Sequence, residues 1–164
     1  GVDAMVSQGF ADPNRLGVGG YSYGGYLSSW SITQTTRFKA AVSGGILADL
    51  ISFYGTTDIP QYLTIHLGEP PFPEQSLAWQ RSPLKHSSKV TTPVLFYVGD
   101  SDQRTPPGQV HQMHRAVEDA GVTTLKVIYP GEGHGFVDRN NQLDLMQRML
   151  AWYGRYLAPV RESQ

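Results

Sequence analysis

The segment "RLGVGGYSYGGYLSSW", residues 15–30, contains a change of period. "RLGVGGYS" reads as a short apolar strand ending at Ser22, and "YGGYLSSWSITQ" continues from Tyr23 as a helix. Across the junction, Gly20-Tyr21-Ser22-Tyr23-Gly24 is a G-x-S-x-G run. The pattern alone is a weak signal. At a strand-to-helix turn it gains force, because a sharp elbow there lifts a serine hydroxyl clear of the sheet. Gly20 and Gly24 are expected to let strand and helix approach around that elbow, with Gly25 extending the same relief. The helix N-terminus under Ser22 favours developing negative charge. A phosphate-binding loop would need G-x-G-x-x-G or a following Lys-Ser/Thr, and neither occurs.

Outward from this junction, strands and helices alternate. "KAAVSGGIL" (39–47), "TTPVLFYVGDSD" (91–102) and "TTLKVIYP" (123–130) read as three further strands. The first of these is nearly all apolar, as a parallel strand covered on both faces must be. A helix is expected over 106–120, with Val110, Met113, Val117 and Ala120 on one face and Gly121 as its stop. The last helix carries Leu143, Met146, Leu150, Tyr153 and Leu157 as an amphipathic stripe. At the other end, "GVDAMVSQG" reads as a helix tail, with Val2, Met5 and Val6 on one face and Gly9 as the stop. Residues 48–89 form an insert rich in aromatics and proline, expected to hold short helices. The pattern implies an α/β fold: about four parallel strands flanked by helices, joined by right-handed crossovers. Sites in such sheets gather at the carboxyl ends of the strands.

Composition narrows the function classes. The 164 residues are 40% hydrophobic and 16% charged, with a formal net charge of -1, which suits one globular domain. The near-neutral balance gives no electrostatic footprint for nucleic acid or an anionic membrane. No apolar run approaches the roughly 18 residues needed to span a bilayer. The chain has no cysteine, which excludes disulfides, thiolate metal sites and cysteine nucleophiles.

A serine hydroxyl is a poor nucleophile until a base takes its proton. Among the five histidines, His134 has the right position: it follows the fourth strand in "YPGEGHGF", between Gly133 and Gly135. His111 and His114 lie three apart on a helix with Glu118 a turn beyond, where a solvated face is a better reading than a metal site. His66 and His86 fall in the insert without an evident partner. A carboxylate must then hold the imidazole tautomer, and "GDSDQRTP" offers Asp100 and Asp102 just past the third strand. By position either serves, the other capping the loop or the helix. The chain order Ser, Asp, His is that of α/β-hydrolases.

The segments "GGYSYGGY", "SPLKHSSKVTTPVLFYVGDSDQRTPPGQ" and "YPGEGHGF" resemble the catalytic domain of prolyl oligopeptidase family serine peptidases, and "ISFYGTTDIPQYL" is similar to the acylaminoacyl-peptidase branch. The resemblance covers essentially the whole chain. It implies that Ser22 is the nucleophile and His134 the base. It also implies that Asp102, two residues before Arg104 in the family's G-x-x-D-x-R-V-P pattern, is the triad carboxylate. It further implies that the Tyr23 N–H is an oxyanion donor and that Arg104 contacts a substrate carbonyl. Phe53 and Leu50 fall where relatives line the specificity pocket. Leu50 stands in place of a commoner tryptophan and Thr105 in place of a commoner valine, both of which alter the pocket.

The same resemblance identifies the chain as the C-terminal half of an α/β-hydrolase domain, so that further strands, a second oxyanion donor and a β-propeller lie upstream of Gly1. The strand ending at Ser22 is then expected to present an apolar edge that pairs with a second copy or with a chain supplying the missing strands. The function expected is a serine hydrolase cleaving short or N-acylated peptides through an acyl-enzyme, with esterase side activity. The alternatives are a carboxylesterase without peptidase activity and an inactive, self-associating fragment. No cofactor, metal, nucleic acid or membrane partner is expected, and a cytoplasmic location is.

Overall fold

The computed structural model describes residues 1–72 and 76–159. Residues 73–75 of the insert and the terminal residues 160–164 lie outside them. Four strands, β1 (Gly17–Tyr21), β2 (Ala40–Gly44), β3 (Val94–Gly99) and β4 (Thr124–Tyr129), form one sheet in the order β1-β2-β3-β4. All three pairings are parallel, with Tyr21 opposite Gly44, Gly44 opposite Tyr97 and Gly99 opposite Tyr129. The helices are α1 (Val2–Ser7), α2 (Tyr23–Gln34), α3 (Leu50–Thr56), α4 (Gln61–Leu67), α5 (Leu77–Gln80), α6 (Pro107–Asp119) and α7 (Arg139–Leu157), with a 3-10 helix at Pro83–Lys89. Each strand is shorter than its apolar run. "TTPVLFYVGDSD", for example, reduces to Val94–Gly99, because its polar ends form loops.

The two central strands, β2 and β3, are buried along their whole length. Alternation splits their side chains between two cores. Val94, Phe96 and Val98 join Ala41, Ile32 of α2, and Val110, Met113 and Val117 of α6. Leu95 and Tyr97 point the other way, with Ala40, Val42, Tyr129 and Trp152 of α7. Each such large side chain contributes about 1.5–3 kcal/mol on burial. The expected face of α6 is the one buried, apart from Ala120, which falls at its C-cap and is exposed. Among its described residues the insert supplies four short helical pieces, and Leu50, Phe53, Leu63 and Ala78 form a satellite core with Leu47 just before it.

α7 departs from expectation. Leu143, Met146 and Leu150 are 50%, 56% and 74% exposed. The helix packs through Tyr153 and Leu157 of the expected stripe and, in place of the other three, through Leu145, Met149, Trp152 and Tyr156. It carries apolar residues on two sides, and the side with the larger aromatic area takes the sheet. β1 makes room for it: a Cβ on Gly17 would lie 2.9 Å from Leu157 Cδ1, and one on Gly19 would collide with the Tyr153 hydroxyl. That hydroxyl donates to the Val18 carbonyl at 2.9 Å. β1 lies at the sheet edge, but the edge is less apolar than expected, because only Val18 and Tyr21 bring side chains to this strand and both are partly buried. What it presents is mainly unpaired backbone.

Candidate active site

Ser22 follows the last residue of β1 and sits in the N-cap position of α2, with φ 60° and ψ -121°. It is the one non-glycine residue at positive φ among those described. Such a conformation costs about 1–3 kcal/mol and persists only where its surroundings fix it. Here the Ser22 N–H donates to the Gly44 carbonyl at 3.0 Å, and the Tyr26 N–H donates to the Ser22 carbonyl at 2.9 Å. A Cβ on Gly20 would stand 2.5 Å from the Gly24 backbone carbon and oxygen, and one on Gly25 would strike the Gly44 carbonyl. Gly24 differs from expectation: a Cβ there meets nothing, so its backbone rather than its missing side chain is what requires Gly20. The Ser22 hydroxyl caps no helix amide. It is left for another partner.

That partner is His134, whose Nε2 lies 3.0 Å from Ser22 Oγ. On the far side of the ring, Nδ1 is 2.9 Å from Asp102 Oδ2 and 3.2 Å from Oδ1. The Asp102 side chain has no exposed surface. Its Oδ1 accepts the backbone N–H groups of Arg104 at 2.9 Å and Thr105 at 2.8 Å. Its Oδ2 accepts the Thr105 hydroxyl at 2.8 Å and the Tyr21 hydroxyl at 3.3 Å. A carboxylate surrounded by donors only accepts, so Nδ1 carries the imidazole hydrogen and Nε2 presents a lone pair to Ser22. Asp100 does not face His134. It is exposed, and its Oδ1 accepts from the Gly131 N–H and the Ser101 hydroxyl, each at 2.8 Å, tying the two loops together.

Tyr21 and Glu132 belong to this site although sequence reasoning gave them no role. The Tyr21 hydroxyl shares its one hydrogen between the His134 carbonyl at 2.7 Å and, more weakly, Asp102 Oδ2, and its ring centroid lies 5.1 Å from that of His134. Burial, and next the Asp102 charge, push this phenol well above its ordinary range, so it stays a donor. Glu132 is 1% exposed and accepts the Val137 and Asp138 N–H groups and the Asn141 amide at 2.8, 3.0 and 2.9 Å. Its carboxyl is held below the usual range, first by the Val137 N–H and then by Asn141. It thereby pins the turn that carries His134 into the start of α7. The available signals were adjacency alone: Tyr21 precedes Ser22, and Glu132 stands two residues before His134.

Tyr23 opens α2, so its N–H has no intrahelical acceptor and is available beside Ser22. A cavity of about 220 Å³ adjoins Ser22 and His134, walled by Tyr23, Phe53, Ile59, Tyr62, Arg104 and Thr105 among others. Arg104 is gripped by Asp58, Nε to Oδ1 at 2.6 Å and Nη2 to Oδ2 at 3.1 Å. That ion pair holds the Asp58 carboxyl below its usual range. Leu50 does not line this cavity. It lies in the wall of a neighbouring one of about 180 Å³, which shares Tyr23, Leu47 and Tyr62 with the first. The remaining histidines are elsewhere: His66 and His86 bond to the carbonyls of Tyr62 and Gln80, and His111 bonds to Lys126. Among the described residues no group of three or more His, Cys, Asp or Glu is placed to hold a metal ion. No helix among them is long and apolar enough to cross a membrane.

Residues 1–159 match the sequence profile of the prolyl oligopeptidase family. The chain is 36% identical over 159 residues to an uncharacterized peptidase, YuxL, of Bacillus subtilis, covering 94% of this chain and 24% of that one. It is 32% identical over 164 residues to the acylamino-acid-releasing enzyme of Arabidopsis thaliana, covering 94% and 22%. A solved Mycobacterium tuberculosis puromycin-hydrolyzing peptidase superposes with a TM-score of 0.88 at 35% identity, over 99% of this chain and 25% of that one. The chain thus spans about a quarter of the length of the proteins it is similar to.

Proposed function

The chain belongs to the prolyl oligopeptidase family, and from that membership we propose that it carries the reacting residues of a serine peptidase acting on short or N-acylated peptides. The observation that carries the reading is the Ser22–His134–Asp102 hydrogen-bond chain at 3.0 and 2.9 Å, built on a strained elbow. Ser22 Oγ attacks the scissile carbonyl carbon while its proton passes to His134 Nε2. The imidazolium so formed sits against the buried Asp102 carboxylate, whose charge the two backbone amides and two hydroxyls keep in place. Negative charge on the carbonyl oxygen is met by the Tyr23 N–H and the N-terminus of α2. His134 returns the proton to the leaving amine as the C–N bond breaks, giving an acyl-Ser22. Water then repeats the sequence and releases the acid.

The cavity beside Ser22 takes an apolar side chain, since Phe53, Ile59 and Tyr62 form much of its wall. Arg104 has N–H groups beyond the two that Asp58 engages, and one of them serves a substrate carbonyl. Relatives named for acylamino-acid release and for puromycin hydrolysis support a reading as a hydrolase of N-acylated or other small peptide-like substrates. Ester hydrolysis accompanies it, because an ester reaches the same acyl-Ser22 with a better leaving group.

The test is labelling with a fluorophosphonate, read by intact mass, alongside turnover of an N-acetyl peptide anilide and a nitrophenyl ester. The expected result is one adduct on the parent chain, absent from Ser22→Ala and strongly slowed in His134→Ala, with both substrates cleaved. Adduct formation that survives Ser22→Ala, or none on the parent, overturns the reading.

A further inference from the structure

We propose that the second cavity, next to the one at Ser22, is a subsite for a single aromatic ring carried on the acyl side of the substrate. The inference rests on the function proposed above and narrows its substrate class to acyl groups that bear an aryl ring. The two cavities share Tyr23, Leu47 and Tyr62 as walls. A substrate whose carbonyl carbon meets Ser22 therefore reaches the second cavity past Tyr23 and Tyr62.

Size selects one ring. The second cavity measures about 180 Å³, and an apolar cavity of about 150 Å³ is enough to take a benzene molecule. Buried Leu47, Leu50 and Leu63 give it an apolar lining that needs no polar partner from the occupant.

The walls select the chemistry. From α2, the Tyr23 and Tyr26 rings stack at 5.5 Å with their planes 24° apart, and Tyr26 stacks in turn on Trp30 at 6.4 Å. From α4, the His66 ring lies 4.2 Å from that of Tyr62. Two aromatic pairs on two helices thus line one cavity. Their rings are held before any ligand arrives: the Tyr26 hydroxyl donates to the Arg81 carbonyl at 3.0 Å, and His66 Nδ1 lies 2.7 Å from the Tyr62 carbonyl. Such preorganisation removes an ordering cost from binding. Burial first, and Tyr23 next, push the Tyr26 and Tyr62 phenols upward, so both stay neutral around pH 7. Tyr23 is 50% exposed and leaves aromatic surface uncovered for a ring to meet. Arg81 also lines the cavity, and a guanidinium attracts the π face of a ring where it gains nothing from an alkyl group.

The experiment compares kcat/KM for two matched pairs of nitrophenyl esters, on the parent chain, Leu67→Trp and His66→Ala. One pair carries the ring as an N-terminal cap, N-benzoyl-alanine against N-cyclohexanecarbonyl-alanine. The other carries it as a side chain, N-acetyl-phenylalanine against N-acetyl-cyclohexylalanine. Within at least one pair the parent is expected to favour the aryl ester by about three- to tenfold. Leu67 is a partly buried wall residue of this cavity alone, and a tryptophan there fills it. Leu67→Trp is therefore expected to abolish the aryl advantage, and the pair in which it does so identifies where the ring is carried. His66→Ala lies at an exposed position, removes one of the four rings and is expected to reduce the same advantage by about half or more, which keeps the test decisive if Leu67→Trp misfolds. No aryl advantage in either pair overturns the subsite, as does one that folded variants leave intact, while fluorophosphonate labelling of the parent keeps the proposed function standing. A parent chain that cleaves none of the esters and takes no label removes both.

Discussion

Replacing Asp102 with asparagine gives a perturbation whose outcome follows from the donors around it. Oδ1 accepts two backbone N–H groups at 2.9 and 2.8 Å, so the asparagine carbonyl must occupy that side. The opposite orientation would set an NH₂ against two amides in a fully buried site, leaving donors unpaired. The NH₂ therefore replaces Oδ2, 2.9 Å from His134 Nδ1. Tyr21 loses little, since its hydroxyl already donates to the His134 carbonyl at 2.7 Å, and the Thr105 hydroxyl turns to accept. His134 cannot adapt without cost. Facing a donor, Nδ1 becomes the acceptor, the ring hydrogen moves to Nε2, and that nitrogen then points an N–H at Ser22 from 3.0 Å. The base is gone although nothing has moved. Loss of the working tautomer in serine proteases is worth about 10⁴ in turnover, or about 5.5 kcal/mol at 1.36 kcal/mol per tenfold. The two backbone N–H bonds to Oδ1 become bonds to a neutral acceptor, so global stability falls by only about 1.5–3 kcal/mol. The assay is the rate of fluorophosphonate labelling at pH 7.5, paired with a denaturant melt on the same sample. A loss under tenfold, with the melt showing a folded protein, would refute the claim that Asp102 sets the tautomer.

Two other expectations follow from charge and from the sheet edge. Glu132 has a carboxyl held below its ordinary value, so the stability it adds is complete above about pH 4.3 and is lost as pH falls through the lowered value. The Tm gap between parent and Glu132→Gln should therefore be widest near pH 7 and close below about pH 4. A gap of constant size across that range would show that the carboxyl charge contributes nothing. At the other flank, the unpaired backbone of β1 is expected to pair with β1 of a second copy, so that the chain elutes as a dimer or larger in size-exclusion chromatography with light scattering. A monodisperse monomer at all concentrations would end that expectation.

How much of this was legible in the sequence depends on the range of the interaction. Strands β2 and β3 were readable because a strand buried on both faces must be apolar throughout. The elbow at Ser22 was readable because backbone crowding there demands glycine at fixed spacing, and Gly20 and Gly25 meet that demand. The choice between Asp100 and Asp102 was not readable by position: both follow β3, and only the turn made by Arg104 and Thr105 aims one of them inward. Arg104 could not reveal that its guanidinium is held by Asp58, 46 residues away, because nothing in an arginine's flanks reports a distant carboxylate. Leu50 likewise reads as apolar and pocket-bound, yet which of two adjoining cavities it walls depends on how α3 is set against α4. The stripe on α7 holds at Tyr153 and Leu157 but not at Leu143, Met146 and Leu150, for a simpler reason. A periodicity of 3.6 says that a helix has an apolar side, and α7 has two.

What brings these scattered residues together is the register of the sheet. With β1 to β4 parallel and in chain order, the carboxyl ends of all four strands lie along one rim. Three of those ends carry a member of the Ser22–His134–Asp102 hydrogen-bond chain: Ser22 after β1, Asp102 after β3 and His134 after β4. β2 lies between the first two and supplies none. Its end is Gly44-Gly45, and this emptiness is its contribution. Tyr21 stands opposite Gly44 on one side and Tyr97 on the other, and the two rings stack at 5.7 Å across it. A Cβ on Gly44 would enter the Tyr97 ring, and one on Gly45 would press on both Tyr21 and Thr105. Meanwhile the Gly44 carbonyl accepts the Ser22 N–H, and the Gly45 N–H donates to the Tyr97 carbonyl. The second strand thus holds the elbow by its backbone and leaves its side-chain space to Tyr21, the residue that braces both Asp102 and His134. The serine therefore depends on glycines in two strands: those of its own motif free it to turn, and those of β2 let its partners close around it.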